Sequence, residues 1–136
     1  MKRIAQLQPL SKEHHQALVI ASRCKNIGAT GSEKECADYR QSIDIFLHQE
    51  LAPHFLLEET ALAPVLERTG DLALRDRLLT EHRQFFIIAK NEQISDRQRL
   101  KQFGELLAAH VRFEERELFE LLQQCMQPEE LENLGY

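Results

Sequence analysis

The 136-residue chain has little of the residues that build turn-rich folds: it contains five glycines, four prolines and no tryptophan. So few turn formers leave little material for a β architecture, in which Gly and Pro shape the many turns. Leu, Glu, Gln, Ala and Arg are abundant instead, and all five favour helices. With 43% hydrophobic and 29% charged residues, a chain of this length can bury one sizeable core. We therefore predict a single all-α domain spanning residues 1–136.

Cysteine is also scarce. Cys24, Cys36 and Cys125 are odd in number, widely spaced and without a Cys-x-x-Cys pair. This pattern argues against a disulfide framework and against a thiolate metal site. We interpret the three residues as reduced, mostly buried thiols.

The chain has neither a basic stripe nor a long apolar run. Its 17 Lys and Arg are dispersed among 22 Asp and Glu, and the net charge is −5. The chain therefore lacks the clustered positive charge with which a nucleic-acid-binding protein contacts phosphates. No stretch approaches the roughly 18 apolar residues of a membrane span, and "MKRIAQLQPL" has no apolar signal region. We predict a cytoplasmic protein with neither a nucleic-acid nor a membrane partner.

Apolar residues recur at steps of three and four residues in four blocks, which is typical of amphipathic helices. The blocks cover about residues 10–27, 33–68, 72–91 and 95–126. "NIGATGS" ends the first block, Gly70 is a natural left-handed cap, and Ser95 with Gln98 forms a candidate capping box. Pro53 should kink the second helix, either as a tolerated bend or as a bend that opens the interior beside a site. Short loops then favour an antiparallel up-down-up-down four-helix bundle.

Polar residues interrupt the apolar stripes of all four helices. They are His14 on the first helix, His54 and Glu58 on the second, His82 on the third, and His110 and Glu114 on the fourth. In His-x-x-x-Glu the two side chains lie one above the other on a helix face, so both can reach a common point.

The same polar pattern occurs twice along the chain. "EHHQALVIA" and "EHRQFFIIA" share five of nine residues, and "HFLLEETALAPVL" resembles "HVRFEERELFELL". The chain therefore resembles two related helical hairpins, each with one plain His helix and one His-x-x-x-Glu helix.

Counting from the turns predicts which of these residues meet, because antiparallel helices rise equally per residue. Glu58 and His82 lie twelve residues either side of Gly70, and His82 and His110 lie fourteen either side of Asp96. His14 fits less well, because reflection through Thr30 leaves it eight residues short of His54. Two arrangements would bring His14 level with His54. Either the first turns of the second helix extend past the end of the first helix, or the long loop between the two helices folds back along the bundle.

Burying four imidazoles and two carboxylates is costly unless they are paired or coordinated. One interpretation is a fully satisfied His–Glu hydrogen-bond network. The other is a metal-ion pair, since imidazole and carboxylate without thiolate suit non-haem iron or manganese before structural zinc. Two carboxylates would fit a dinuclear centre.

The neighbouring polar residues have two interpretations each. His15 could replace or join His14, whereas His48 lies off the apolar stripe and is interpreted as solvated. Four further glutamates are either surface charges or acceptors for the second imidazole N–H of a ligating histidine. They are Glu13, Glu59, Glu81 and Glu115.

The order His14, His54-x-x-x-Glu58, His82, His110-x-x-x-Glu114 resembles the hemerythrin-like, or HHE cation-binding, domains over nearly the whole chain. The resemblance implies a bundle holding two iron ions joined by an oxo or hydroxo bridge, with Glu58 and Glu114 bridging and the four histidines terminal. Manganese and zinc are alternative metals. The oxygen-carrying members have a further histidine on the third helix, where this chain offers Leu78 and Phe86, and an Asp where position 115 is Glu. These departures argue against simple reversible oxygen carriage.

Two functional classes follow. The first is a di-iron protein that senses or handles oxygen, nitric oxide, peroxide or iron. The second is a di-iron oxidase or peroxidase, but the chain has no Gly-rich cofactor loop and no tryptophan. The Glu-x-x-His motif of ferritin-like di-iron enzymes is also missing at the inward positions. A non-enzymatic role with a diatomic ligand or peroxide as partner is therefore favoured.

Overall fold

The computed structural model describes residues 2–135, so the first and last residues of the predicted domain lie outside the described part. Its α-helices are α1 (Gln8–Thr30), α2 (Glu33–Phe46), α3 (Ala52–Ala61), α4 (Ala63–Thr69), α5 (Leu72–Lys90), α6 (Asp96–Phe113), α7 (Phe119–Cys125) and α8 (Pro128–Glu132). A 3₁₀ turn at Ala5–Leu7 precedes α1, and π-helical turns occupy Leu47–Leu51 and Glu114–Leu118. Residues 2–135 contain no strand, which confirms the predicted all-α class.

The helix boundaries follow local capping chemistry. Ser32 and Ser95 each accept a hydrogen bond from the backbone N–H three residues on, and Glu35 and Gln98 return one to the cap. Such capping boxes satisfy N–H groups that the helix leaves without partners. Gly70 ends α4 with φ of 81°, the left-handed conformation that the sequence predicted.

The predicted end of the first helix near Ile27 is wrong, because α1 continues to Thr30. Gly28 allows α1 to lie against α6 so closely that a Cβ there would be 2.9 Å from Lys101 Cγ. Arg97 donates hydrogen bonds to the carbonyls of Gly28 (3.0 Å) and Gly31 (2.6 Å), which stabilises this last turn. Tertiary contacts thus override the weak helix propensity of "NIGATGS". Only Gly31 and Ser32 connect α1 to α2, so the loop that doubles back is also excluded.

The second predicted helix is broken twice. A π-helical turn lies just ahead of Pro53, where the N–H of Ala52 bonds the carbonyl of Leu47 five residues back. An interruption of the helix is therefore present just before Pro53, in the form of a widened turn. The second break, at Leu62, was not predicted, although Pro64 gives the signal because it has no N–H to continue the helix.

The fourth predicted helix also contains a π-helical turn, which begins at Glu114 and is closed by the N–H of Phe119 bonding the Glu114 carbonyl. No Gly or Pro marks this turn in the sequence. Turns of this type are frequent at functional sites, and this one starts at a predicted metal-ligating residue.

The core consists of two apolar clusters. One is centred on Leu47, Phe85, Phe103 and Leu107, and the other on Leu10, Leu62, Leu78, Phe113 and Phe119. The ring centroid of His110 lies 5.4 Å from that of Phe85 and 6.3 Å from that of Phe113. His110 therefore lies where the two clusters meet.

All three cysteines are free thiols; Cys24 and Cys36 are buried and Cys125 is half-buried. Burial raises the pKa of the Cys24 thiol to about 12. The described part of the chain has no helix with the length and hydropathy needed to cross a membrane.

Candidate metal centre

The structure brings all six predicted metal-ligating residues together. We call them the inner cluster: His14, His54, Glu58, His82, His110 and Glu114. Every member is buried, with exposed fractions from 0% for both glutamates to 6% for His54. The cluster divides into two groups, and within each group one ligand atom per residue lies within 4.8 Å of all the others. His14 and His54 belong to one group, His82 and His110 to the other, and Glu58 and Glu114 to both.

The two glutamates reach histidines on different helices. Glu58 Oε2 lies 3.2 Å from His54 Nε2, and its Oε1 lies 3.0 Å from His82 Nε2. Glu114 Oε1 lies 3.4 Å from His14 Nε2 and 2.6 Å from His110 Nε2. Each carboxylate thus lies between one histidine of the first group and one of the second.

Four outer glutamates orient the four imidazoles. Nδ1 of His14 is 2.7 Å from Glu115 Oε2, Nδ1 of His82 is 3.0 Å from Glu59 Oε2, and Nδ1 of His110 is 2.6 Å from Glu81 Oε1. His54 Nδ1 makes the corresponding bond to Glu13. A carboxylate can only accept here, so each Nδ1 carries a proton, and an imidazole that binds a metal would offer the lone pair of its inward Nε2 once that nitrogen is deprotonated. Of the two interpretations of these glutamates, the structure favours acceptors for imidazole N–H.

The inner cluster contains polar atoms that hydrogen bonding does not satisfy. Within residues 2–135, Nε2 of His14 and of His110, Oε2 of Glu58 and both carboxylate oxygens of Glu114 are buried without a hydrogen-bond partner. His110 Nε2 and Glu114 Oε1 lie 2.6 Å apart, yet not in hydrogen-bond geometry. Buried polar atoms are nearly always paired in folded proteins. A self-contained hydrogen-bond network is therefore a poor explanation, whereas convergence of lone pairs suits cations.

The electrostatics of the metal-free cluster are uneven. Burial lowers the pKa of His54, but the carboxylates of Glu58 and Glu13 outweigh it and raise the value to about 10. Burial also lowers the pKa of His110, and there it prevails over the Glu81 contact. Burial would raise the pKa of Glu58, but His54 and His82 hold it well below its usual range.

Other histidines are not part of the cluster. His15 is exposed, and so is His48, whose ring centroid lies 6.0 Å from that of Phe86. Leu78 is fully buried in the second apolar cluster, and Phe86 packs against the first.

A small cavity, which the sequence did not predict, leads from the inner cluster to the surface. Its volume is about 30 Å³. His14, His54, His110 and Glu114 lie on its wall together with apolar residues such as Ala17 and Leu51. The exposed residues Gln16 and Glu50 also line it. The π-helical turn at Leu47–Leu51 thus forms part of the cavity, which favours the interpretation of Pro53 as a bend beside a site.

An all-helical fold around a buried cluster of imidazoles and carboxylates defines the class of metal-binding helical bundles. A family model described as the hemerythrin HHE cation-binding domain matches residues 6–122, which is most of the chain. The chain therefore belongs to the hemerythrin HHE family, and its buried His–Glu groups are candidate cation sites. Comparisons with curated proteins and with solved structures give no significant match.

Proposed function

We propose that the chain is a non-haem di-iron protein that senses or handles oxygen, nitric oxide, peroxide or iron itself. The observation that carries the proposal is the pair of ligand groups that share Glu58 and Glu114. One iron would be held by His14 and His54, the other by His82 and His110, and both glutamates would serve both ions. Two histidines and two carboxylates for each ion fit iron or manganese before structural zinc.

Bound iron would supply coordination positions for a small ligand and a ferrous–ferric couple. The residues of the chain prepare these positions in two ways. The outer glutamates fix the tautomer and orientation of the four imidazoles. Six glutamates contact the four histidines, so the site concentrates negative charge that metal cations would neutralise.

The cavity supports a diatomic ligand or peroxide as the partner. Its volume of about 30 Å³ has room for a ligand of about two or three heavy atoms. The cavity therefore supports a small ligand as the partner.

Metal analysis tests the proposal directly. The protein is purified without added metal, loaded anaerobically with ferrous iron, desalted and analysed for iron, manganese and zinc. We expect about two iron atoms per chain, because six inward ligands are too many for one closed tetrahedral site. One zinc per chain with no iron after loading would overturn the proposal. The His48→Ala protein, whose substituted side chain lies outside the cluster, should retain the same iron content.

A further inference from the structure

The two halves of the inner cluster are alike in their hydrogen bonds but differ in the apolar residue beside the histidines. The aligned repeats "EHHQALVIA" and "EHRQFFIIA" place His14 opposite His82 and Ala17 opposite Phe85. His54 and His110 are matched in the same way by the two His-x-x-x-Glu segments.

The hydrogen bonds of the four histidines follow the same alignment of the two repeats. His14 bonds Glu115 and His82 bonds Glu59, while His54 bonds Glu13 and His110 bonds Glu81. Exchanging the two repeats converts each of these bonds into its counterpart. The ligand groups are therefore related by an approximate two-fold symmetry.

The Phe85 ring fills the space beside His110, in the ligand group that contains His82 and His110. Its side chain is fully buried, and its ring centroid lies 5.2 Å from Phe55, 5.3 Å from Phe103 and 5.4 Å from His110. The counterpart of His110 is His54, so a phenyl ring at position 17 would lie against His54. Ala17 has only a methyl group there, and the small cavity borders both Ala17 and His54.

We propose that Ala17 is a specificity-determining residue, because it leaves beside His54 the space that the Phe85 ring fills beside His110. Ligands of about two or three heavy atoms then reach the metal pair from the His14–His54 side, and the size of residue 17 sets the limit. This inference rests on the proposed function, since it concerns the route to the proposed metal pair. The two ligand groups are nearly symmetric, so the difference between Ala17 and Phe85 is what makes one side of the site accessible and the other closed.

The test exchanges residues between the repeats. Three variants fill the cavity in steps: Ala17→Val, Ala17→Leu and Ala17→Phe. The control is Leu18→Phe, which introduces the phenylalanine that the second repeat has at the matching position. Leu18 is 38% exposed, so this ring lies outside the cavity. Each variant is loaded with iron and analysed for metal, and azide binding is followed by absorbance. We expect the leucine and phenylalanine variants to keep their iron and to bind azide about tenfold more weakly or more slowly. Leu18→Phe should match the unaltered protein.

A second readout needs no metal. The shift and exchange of xenon in the ¹²⁹Xe NMR spectrum of the metal-free protein should report the cavity, and Ala17→Leu should abolish that signal while Leu18→Phe preserves it. If Ala17→Phe fails to fold, the valine and leucine variants decide the outcome by their graded effect.

The possible failures are distinguishable. An iron-loaded Ala17→Leu protein with unchanged azide affinity and association rate would overturn the role of Ala17 and leave the proposed function intact. An unaltered protein that holds no iron would overturn both, whereas one that holds iron and binds no azide would overturn the role of Ala17 and leave iron handling as the function.

Discussion

Individual residues of the inner cluster differ in what their loss should do, because four histidines are oriented by one outer glutamate each while Glu58 and Glu114 belong to both ligand groups. Loss of a histidine removes a donor from one group. Loss of Glu58 removes a donor from both. The shared carboxylates are therefore the residues on which the proposed pair of ions depends most.

We predict that His82→Ala and Glu58→Ala lose iron and stability, whereas His48→Ala loses neither. His82 and Glu58 are 3% and 0% exposed within the cluster, and His48 is exposed outside it. A ligand that binds only the folded state adds about 2.7 kcal/mol when its free concentration is about 100 times Kd. The loaded protein should lose stabilisation of this order with the metal. Iron analysis and thermal unfolding with and without iron measure both effects, and equal iron retention in all three variants would contradict the assigned roles.

The shifted pKa values predict that metal uptake releases protons. In the metal-free protein His54 is protonated at neutral pH, because Glu58 and Glu13 raise its pKa to about 10, whereas a ligating imidazole must be neutral. Iron binding near neutral pH should therefore release at least one proton per chain, and the His54 contribution should vanish as the pH rises through about 10. The stability that protonated His54 gives the metal-free fold is fully present below the ordinary histidine pKa of 6.5 and is lost as the pH rises from there through about 10. Calorimetric titrations in buffers of different ionisation enthalpy measure the release, and identical heats in all buffers would contradict it.

Packing of apolar side chains between the helices holds the inner cluster in position. Phe85 on α5 is fully buried against Phe55 and Phe103, whereas Ile87 on the same helix is 64% exposed. We predict that Phe85→Ala lowers the free energy of unfolding of the metal-free protein by about 3–5 kcal/mol. Ile87→Ala should change it by less than about 0.5 kcal/mol. Urea unfolding of both variants gives the comparison, and equal losses would show that the Phe85 ring is not a packing centre.

The sequence predicts the helices where the cause is local. Ser32, Gly70 and Ser95 act on their own backbone, and each forms the boundary its chemistry dictates. The extension of α1 to Thr30 depends on Arg97, which is distant in sequence, so local propensity gave the wrong end. The π-helical turn at Glu114–Leu118 has no Gly or Pro to announce it.

Across the whole molecule, the proximity of Glu58, His82 and His110 was predictable because the turns align their helices, whereas counting from the turn left His14 out of register with His54. The partners of the outer glutamates were not predictable, because which carboxylate reaches which imidazole depends on distances between helices. Glu115, for example, reaches His14 on α1, 101 residues earlier in the chain. The cavity depends on one small residue, Ala17, whose effect is visible only when the packed repeats are compared.

The composition of the whole site predicts how the reduced protein should respond to oxygen. Leu78 and Phe86 stand where the resemblance to oxygen carriers would place a further histidine, and both pack in apolar clusters. Each proposed ion is left with two histidines and two shared glutamates. The cavity reaches the exposed residues Gln16 and Glu50, so water has a route to the site. A site that water enters is protected less against oxidation than a closed, dry one.

We therefore predict rapid and lasting oxidation by oxygen in place of reversible carriage. Anaerobic, iron-loaded protein is mixed with oxygen, its absorption bands are followed, and oxygen is then removed. Conversion to a stable oxidised form, without turnover of added reductant, is the expected result and favours a sensor over an oxidase. Ala17→Leu, which narrows the route to the His14–His54 side, should slow the oxidation, while Leu18→Phe should leave its rate unchanged. Full recovery of the reduced spectrum over repeated cycles would instead identify a carrier, and the four histidines of the inner cluster would then suffice for reversible binding.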